Sequence, residues 1–384
     1  MNKTERRMAK REQKRIDFLQ SMPSYDEIFT FEHLYESFWL CRKEVSWKPS
    51  IQIYQHNLLD ELHKTLQILY SEEGFKSKGF IEFDICERGK MRHIRSVDIQ
   101  ERVVQRCFCD YYLVPLLTHN LIYDNGASLK GKGIAFSIER VKQHLRCYYN
   151  KYHSNDGYIL LYDFSNYFGS INHDKLYEVI DPFILDERCR KLYHHLVDAF
   201  GDVGLGLGSQ VSQISAVAFP NRIDQHFVHS KNVEGYARYM DDGYVITHTK
   251  EAAQQAKEEL LNLAQELGLT INPKKIKIIK LSTTFIFLKK RFLLRGDGKV
   301  VVRLLQKNIY KHRRKMRALV KLAEEGRLNI ENVELAHKSW RGQQRKYCNQ
   351  KAIHNVDLQV RRLINDYRAT HPNIPSNKCG ISEG

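Results

Sequence analysis

Three aspartates stand at the ends of predicted β-structure, and their positions suggest shared chemistry. Asp163 lies near the end of the apolar run 158–164 (YILLYDF), which polar residues flank on both sides, as is typical of a buried strand. Two more acids occur at 241–243 (DDG), inside a segment at 237–248 whose apolar halves predict a β-hairpin with these residues at its reversal. Adjacent aspartates are common in turns because aspartate tolerates turn backbone. We nevertheless expect the strand that carries Asp163 to lie beside this hairpin tip.

Three converging carboxylates repel one another and destabilise a fold unless cations lie between them. Because their ligand atoms are all oxygen, Mg²⁺ is the expected ion. Two Mg²⁺ ions about 4 Å apart can activate an attacking hydroxyl and stabilise the leaving pyrophosphate oxygen of an in-line phosphoryl displacement. Asp163 and Asp241 are the expected ligands, with Asp242 as a weaker ligand or a nearby charge. This chemistry is typical of enzymes that synthesise or cleave polynucleotides.

The composition indicates a folded protein with a polyanionic partner. The 384 residues are 42% hydrophobic, which suits two or three domain-sized units, and the formal net charge is +16 with a pI near 9.3. Most of this charge lies at 274–315, where ten lysines and five arginines stand against one aspartate. Apolar and aromatic residues interleave with these cations, so we expect folded structure whose basic face binds a phosphate backbone. A merely solvated basic face is the alternative.

We expect no membrane segment and no export signal. No run approaches 18 consecutive apolar residues, and the basic segment at 1–16 precedes no apolar stretch. The eight cysteines form no C-x-x-C pair and no disulfide framework. This pattern predicts reduced thiols, no zinc site and a cytoplasmic location.

The hydrophobic patterns predict helices and strands that combine into an α+β fold. Residues 1–75 are predicted to be mostly helical, and a short β-like run follows at 80–85. A Gly/Lys-rich loop (GASLKGKG) occupies 126–133. Further helices are predicted at 98–117, 138–149, 251–267, 309–325 and 356–367.

Five sequence motifs resemble those of reverse transcriptases. The residues 239–242 (YMDD), on the predicted hairpin, resemble the Y-x-D-D motif, and 162–168 (YDFSNYF) resemble the first palm motif. The other three are similar to the fingers motif of bacterial reverse transcriptases, the motif after the catalytic hairpin and the primer-grip turn, at 87–105, 267–278 and 285–292. The motifs follow the family's order over residues 80–295, with a basic helical tail behind them.

The resemblance implies a right-hand polymerase of fingers, palm and thumb, with an RRM-like antiparallel palm sheet. It implies an N-terminal helical extension at 1–75, fingers and palm at 76–295, and a basic helical thumb and tail at 296–384. The implied activity is RNA-directed DNA synthesis. Its ligands would be two Mg²⁺ ions, deoxynucleoside triphosphates, template RNA and the complementary DNA.

The resemblance also implies roles for single residues. Lys90 and Arg92 would contact the triphosphate. Phe168 would be a steric gate under the sugar of the incoming nucleotide; the alternative is that its ring only packs in the core. Lys275 would be a general acid for the leaving pyrophosphate; the alternative is an ordinary surface lysine. The backbone carbonyl of Phe164 would be a further metal ligand. The remaining implied contacts, to the nucleotide, template or primer, are those of Phe164, Leu207, Gly208, Ser212, Gln213, Tyr239, Met240, Leu288 and Lys289.

The segment 207–213 (LGSQVSQ) indicates a subtype. Most relatives have Q-G-x-x-x-S-P here. This chain instead has Leu207, Gly208, Ser212 and Gln213, which resembles the I/V/L-G-x-x-x-S-Q form found in the reverse transcriptases of diversity-generating retroelements. That resemblance implies error-prone copying at adenines of a template-repeat RNA, and a small basic accessory variability protein as partner. Leu207 replaces a polar contact to the incoming nucleotide with an apolar one, which is a physical reason for lower fidelity.

Three alternatives stay open at this stage. Leu207 and Gln213 could also occur in a phage-defence enzyme or in a group II intron-type enzyme. A non-catalytic RNA-binding scaffold is the third alternative. The retention of three mutually repelling aspartates argues against the scaffold, because RNA binding alone does not require them.

Overall fold

The computed structural model of the chain describes residues 3–87, 90–347 and 350–371. The chain divides into two compact units. The first comprises Met1–Tyr148 and Gly157–Ile279, and the second comprises Tyr149–Asp156 and Lys280–Gly384. The division into extension, fingers with palm, and thumb stays a prediction.

Residues 3–69 are mostly helical, as the sequence predicted. The helices are α1 Lys3–Gln20, α2 Tyr25–Ile28, α3 Phe31–Arg42, α4 Pro49–His56 and α5 Leu58–Leu69. Ser24 and Glu27 form a capping box at the start of α2, in which the Glu27 carboxylate accepts the Ser24 N–H at 2.8 Å. The hydroxyl of Thr30 caps α3 by accepting the N–H of His33 at 3.1 Å. The apolar faces of these helices belong to the core of the first unit.

An antiparallel hairpin follows the helices. Its strands are β1 Ile81–Glu87 and β2 Lys90–Ser96, with Ile81 opposite Ser96. This confirms the β-like run at 80–85 and shows that it pairs with the lysine- and arginine-containing segment behind it. Because β1 and β2 are consecutive in the chain, a short connection is sufficient for their antiparallel pairing.

The predicted helix at 98–117 is present but interrupted. Helix α6, Ile99–Phe108, begins after Asp98, whose carboxylate accepts the N–H of Glu101 at 2.7 Å. A π-helical turn at Cys109–Leu113 separates it from α7, Val114–Thr118. Pro115 has no N–H to donate to the carbonyl four residues earlier, which is the physical reason for the irregular turn. Helix α8, Ile134–Tyr152, then begins four residues before the predicted start.

A four-stranded sheet is the centre of the first unit. Its strands are β3 Tyr158–Asp163, β4 Gly235–Tyr239, β5 Asp242–Thr247 and β6 Lys277–Lys280, in the spatial order β4-β5-β3-β6. Strand β5 pairs antiparallel with both β3 and β4. Five of the six residues of β3 are buried, which explains the continuous apolar run in the sequence.

The first unit also contains six described helices that follow β3 in the chain. They are α9 Tyr167–Ser170, α10 His173–Ile180, α11 Glu187–Asp198, α12 Gln210–Ala218, α13 Asn221–His229 and α14 Lys250–Glu266. Helix α14 packs against β3 and β5 and confirms the helix predicted at 251–267. The hydroxyl of Thr249 accepts the N–H of Ala252 at its start, and Gly268 follows its end with a φ of 68°.

The reversal between β4 and β5 differs from the predicted one. The turn consists of Met240 and Asp241, while Asp242 and Gly243 already belong to β5. Met240 has a φ of 56°, so the residue before the acids takes the left-handed conformation. Gly243 instead makes room for a ring, because a Cβ on it would lie 2.2 Å from Cζ of Tyr162. The prediction that Asp242 and Gly243 occupy the turn is therefore wrong, since cross-strand pairing continues through Asp242.

The second unit combines a small sheet and three helices. The antiparallel strands are β7 Phe285–Phe287, β8 Lys290–Leu294 and β9 Val300–Leu304. The helices are α15 Gln306–Glu324, α16 Ile330–Gln344 and α17 Gln350–Thr370, so the predicted helices at 309–325 and 356–367 are confirmed and longer. Met316, Val333 and Val356, one from each helix, are fully buried in a shared core.

The described residues confirm the α+β class, with helices around antiparallel sheets. Six cysteines in this part of the chain are free thiols, as predicted; Cys348 and Cys379 lie outside it. None of the described helices has both the length and the apolar character needed to cross a membrane.

Candidate active site

Asp163 and Asp242 face each other at the ends of β3 and β5. They are directly opposed in the antiparallel register, and their carboxyl groups share a hydrogen bond. Asp163 is buried, with 3% of its surface exposed. Burial, the hydrogen bond to Asp163 and the negative charges of Asp241 and Asp163 together raise the pKa of Asp242 to about 7. The pair therefore favours a proton or a cation between its oxygens.

Asp241 occupies the turn beside this pair. Its backbone carbonyl accepts the N–H of Phe164 at 3.1 Å, which ties the turn to the residue after β3. Its negative charge contributes to the raised pKa of Asp242, so it lies within electrostatic reach. Among the described residues, no three Asp, Glu, His or Cys side chains form a metal-binding cluster. The structure thus pairs two of the predicted acids and places the third next to them.

The oxygen-only donors of these aspartates fit a hard divalent cation. Burial is the largest cause of the raised pKa of Asp242, and the nearby charges of Asp241 and Asp163 add to it; a bound cation relieves such like-charge repulsion. Which of the three acids bind metal, and whether the carbonyl of Phe164 does, stays a prediction.

Lys275 contacts the buried acid directly. Its Nζ donates a hydrogen bond to Oδ2 of Asp163. Burial alone would lower the pKa of Lys275, but the hydrogen bond and the charge of Asp163 raise it above its ordinary value. Asn272 supports this arrangement, because its N–H donates to the carbonyl of Asp163 at 2.8 Å. A protonated amine therefore lies at the end of β3, as a general acid requires.

The comparison with protein families decides the class of this site. Residues 87–288 match the model of the reverse transcriptase (RNA-dependent DNA polymerase) family, which is more than half of the chain and contains both Asp163 and Asp242. The chain belongs to the reverse transcriptase family. The α+β fold predicted from the sequence is therefore confirmed as a reverse transcriptase fold. Reverse transcriptase domains generally use divalent metal ions.

Solved telomerase structures are also similar to this reverse transcriptase. Apo telomerase from Candida tropicalis has 13% identity and a TM-score of 0.49, covering 83% of this chain and 63% of that one. A form truncated of its C-terminal domain has 14% identity and a TM-score of 0.46, covering 65% and 60%. Telomerase from Candida albicans in complex with a fragment of telomeric RNA has 11% identity and a TM-score of 0.48, covering 77% and 61%. The chain spans about three fifths of the length of these telomerase chains. No curated protein sequence matches it.

Two phenylalanines follow Asp163 in this reverse transcriptase. Phe164 is buried and stacks on Tyr167 with the ring centroids 5.3 Å apart. Phe168 is half-buried, and its carbonyl accepts the N–H of Leu205 at 2.6 Å. This bond joins the predicted steric gate to the loop that leads into the segment 207–213.

The segment 207–213 contains the start of α12 and lies against β2 and the Gly/Lys-rich loop. Leu207 is half-buried, and Gly208 has a φ of 116° with its Cα close to β2, because a Cβ there would lie 3.3 Å from the carbonyl oxygen of Arg95. Ser212 is fully buried and its hydroxyl has no hydrogen-bond partner within the described structure, so it presents no surface to a template in this conformation. Gln213 is exposed and donates to the hydroxyl of Ser128 in the Gly/Lys-rich loop at 2.9 Å.

The other predicted contacts are distributed over both units. Lys90 and Arg92 belong to β2, but their side chains lie outside what the structure describes. Tyr239 and Met240 are half-buried at the tip of the β4–β5 hairpin. In the second unit, Leu288 and Lys289 form the two-residue turn between β7 and β8, with φ values of 45° and 60°. Such a turn matches the twist of antiparallel strands.

A buried network behind the YMDD turn is not predicted by the sequence motifs. It consists of Arg238 on β4, Asp224 on α13, and the hydroxyl groups of Tyr236 and Tyr162. The available signal was the arginine itself, since it interrupts an apolar strand and a buried charge requires a partner. The sequence does not identify that partner, because Asp224 is 14 residues away on a helix.

Proposed function

We propose that this chain is an RNA-directed DNA polymerase that extends a primer on an RNA template. The observation that carries the proposal is the Asp163–Asp242 pair with Lys275 at the end of β3, inside the segment that matches the family. Paired carboxylates at adjoining strand ends can hold metal ions for nucleotidyl transfer, and a protonated amine can serve as its general acid. The substrates would be deoxynucleoside triphosphates, template RNA and the growing complementary DNA, in the cytoplasm.

Asp163, Asp242 and Asp241 would hold two Mg²⁺ ions, which supply positive charge to the attacking and leaving oxygens. The remaining chemistry falls to side chains of this chain. Lys275 carries its proton at neutral pH and would donate it to the leaving pyrophosphate oxygen. Phe168 would limit the space at the 2′ position of the sugar. The hydrogen bond from the N–H of Leu205 to the Phe168 carbonyl would hold the nucleotide pocket in place relative to Asp163.

We further propose that the enzyme belongs to a diversity-generating retroelement and copies a template-repeat RNA with errors at adenines. The residues Leu207, Gly208, Ser212 and Gln213 support this subtype by their identity. Leu207 offers the incoming nucleotide no hydrogen bond, and a contact of that kind contributes only a few kcal/mol to discrimination. A small basic accessory protein would be the partner.

The decisive experiment is Mg²⁺-dependent extension of a primed RNA template that contains all four bases, with and without any co-encoded small basic protein. Asp163→Asn and Asp241→Asn should abolish synthesis, whereas Asp174→Asn, which removes an exposed carboxylate on α10, should retain it. Wild-type protein that binds RNA but makes no DNA under either condition would contradict the polymerase proposal and favour the scaffold.

Sequencing the product DNA tests the subtype. Errors concentrated opposite template adenine, reduced in Leu207→Gln, are the expected result. Faithful copying by the wild type would contradict the diversifying role and favour a phage-defence or intron-type enzyme. An unchanged error spectrum in Leu207→Gln would show that this pocket is not the source of the errors.

A further inference from the structure

We infer that Arg238 is a positioning residue that fixes the backbone of Asp241 through the carbonyl of Met240. The inference rests on the proposed polymerase function, in which Asp241 is a metal ligand. It concerns a residue that does not itself touch the reacting groups.

Arg238 forms an ion pair with Asp224 in the interior of the first unit. Both side chains have no exposed surface. The pairing is bidentate, because Nε donates to Oδ1 of Asp224 at 2.8 Å and Nη2 donates to Oδ2 at 2.6 Å. The hydroxyl of Tyr236 donates to the same Oδ1 at 2.6 Å, and it is linked to the hydroxyl of Tyr162 at 2.7 Å.

Net stability is a weak reason for such a pair. Removing two charges from water opposes their attraction, so a buried ion pair often contributes little to the free energy of folding. What the pair does supply is orientation. A planar guanidinium held by two carboxylate oxygens points its remaining N–H groups in fixed directions.

Those remaining N–H groups reach two backbone carbonyls. Nη2 also donates to the carbonyl of Val217 on α12 at 2.8 Å, and Nη1 donates to the carbonyl of Met240 at 3.0 Å. Arg238 therefore connects α12 and α13 to the turn that carries Asp241.

The bond to Met240 completes a clamp around Asp241. The Met240 carbonyl belongs to the peptide group before the Asp241 Cα, and the Asp241 carbonyl belongs to the peptide group after it. The first accepts from Arg238 and the second accepts from the N–H of Phe164 at 3.1 Å. Because each peptide group is planar, holding both groups sets the two backbone dihedrals of Asp241 and so the direction of its side chain.

The conformation of Met240 gives a reason for the clamp. Its φ of 56° is unfavourable for a residue with a β-carbon and persists only where surrounding contacts hold it. The hydrogen bond from Arg238 is such a contact.

Arg238→Lys is the informative variant, because it retains the charge. One ammonium group cannot bind Asp224 through two oxygens and also reach the carbonyls of Val217 and Met240. The matched control is Arg140→Lys. Arg140 also pairs with an aspartate, Asp124, and is 16% exposed. Its other partners are Gln143, His144 and the ring of Tyr123, none of which is in the turn that carries Asp241. Asp224→Asn is a second test variant, which keeps the side-chain volume but removes the negative charge and one of the two oxygens that hold the guanidinium.

The first readout is amide hydrogen exchange by NMR, which needs no enzymatic activity. In Arg238→Lys and Asp224→Asn we expect the amide of Phe164, whose acceptor is in the turn, to exchange at least about tenfold faster than in the wild type. The amide of Asn272, which donates to Asp163 instead, should exchange at the wild-type rate, and Arg140→Lys should change neither. An unchanged Phe164 amide in either folded variant would overturn the inference.

The second readout is polymerase kinetics. We expect Arg238→Lys to lower kcat at least about tenfold and to raise the Mg²⁺ concentration for half-maximal rate, with the KM for the nucleotide within about twofold of the wild type. A wild-type kcat and Mg²⁺ dependence in Arg238→Lys would overturn the positioning role. If the wild type makes no DNA, the polymerase proposal fails, and the exchange experiment still decides whether Arg238 holds the turn.

Discussion

Asp163 and Asp242 are directly opposed across β3 and β5, and their carboxyl groups share a hydrogen bond. Burial, the hydrogen bond with Asp163 and the negative charges of Asp241 and Asp163 together raise the pKa of Asp242 to about 7. The fold holds this unfavourable pair at the ends of two buried strands. Stability is thus lower here than neutral side chains would allow, as is common where a fold holds groups in place for chemistry.

Replacing Asp242 with asparagine should stabilise the protein and impair synthesis. Because the pKa of Asp242 is higher in the folded than in the unfolded chain, the folded form loses stability as pH rises from about 4 to about 7. In EDTA at pH 8, Asp242→Asn should therefore raise the free energy of unfolding by about 1 kcal/mol, with a smaller gain at pH 5. Urea unfolding measures this difference. Asp174→Asn is the control, and an equal gain there would point to a general charge effect.

Shortening Phe168 should relax the choice of sugar. Phe168→Val is expected to increase ribonucleotide incorporation relative to deoxynucleotide incorporation by about 10-fold to 100-fold, since the space beside the sugar increases. Single-nucleotide extension with dATP and ATP measures the ratio. Tyr167→Phe, which removes the hydrogen bond from a buried hydroxyl to the carbonyl of Ala216, should alter stability and leave the ratio unchanged. An unchanged ratio in Phe168→Val would assign this ring to core packing.

Adding a methyl group at Gly208 should destabilise the first unit more than the same change at Gly268. Gly208 has a φ of 116° and a Cβ there would lie 3.3 Å from the Arg95 carbonyl, whereas Gly268 has a φ of 68° with open space around it. We expect losses of about 2–3 kcal/mol for Gly208→Ala and about 1 kcal/mol for Gly268→Ala. Chemical denaturation of both variants measures the difference. Equal losses would show that the approach to β2 is not constrained.

The second unit should lose stability in mild acid through His312. Burial, His337 and Lys315 lower the pKa of His312 to about 4, and Asp357 faces the pair by accepting from His337 at 2.9 Å. Because the unfolded chain binds this proton more readily, stability is complete above about pH 6.5 and falls as pH decreases toward 4. His312→Gln should remove about 1–3 kcal/mol of this dependence. Urea unfolding at pH 7, 6, 5 and 4 measures it, and parallel profiles for variant and wild type would contradict the assignment.

Much of the fold follows from local pattern. The strand at Tyr158–Asp163 and the helix at Lys250–Glu266 lie within a residue or two of their predicted bounds, because period, turn residues and caps act over a few neighbouring positions. The family resemblance likewise rests on short motifs, and the match over 87–288 confirms it. The helix predicted at 98–117 has nearly the predicted ends but is interrupted by a π-helical turn ahead of Pro115, whose effect on the helix depends on how the surrounding turns repack.

The candidate site, like the fold, has local features that the sequence predicts and long-range features that it does not. The sequence alone determined which acids stand at strand ends and that a lysine follows them, because strand ends and turns are local features. Only the tertiary structure decided that Asp242, and not Asp241, faces Asp163, because the register of two strands depends on which residues take up the turn between them. It also decided that Ser212 is buried and that Arg238 pairs with Asp224, since burial and ion pairing join residues that are distant in the chain and no local pattern encodes them.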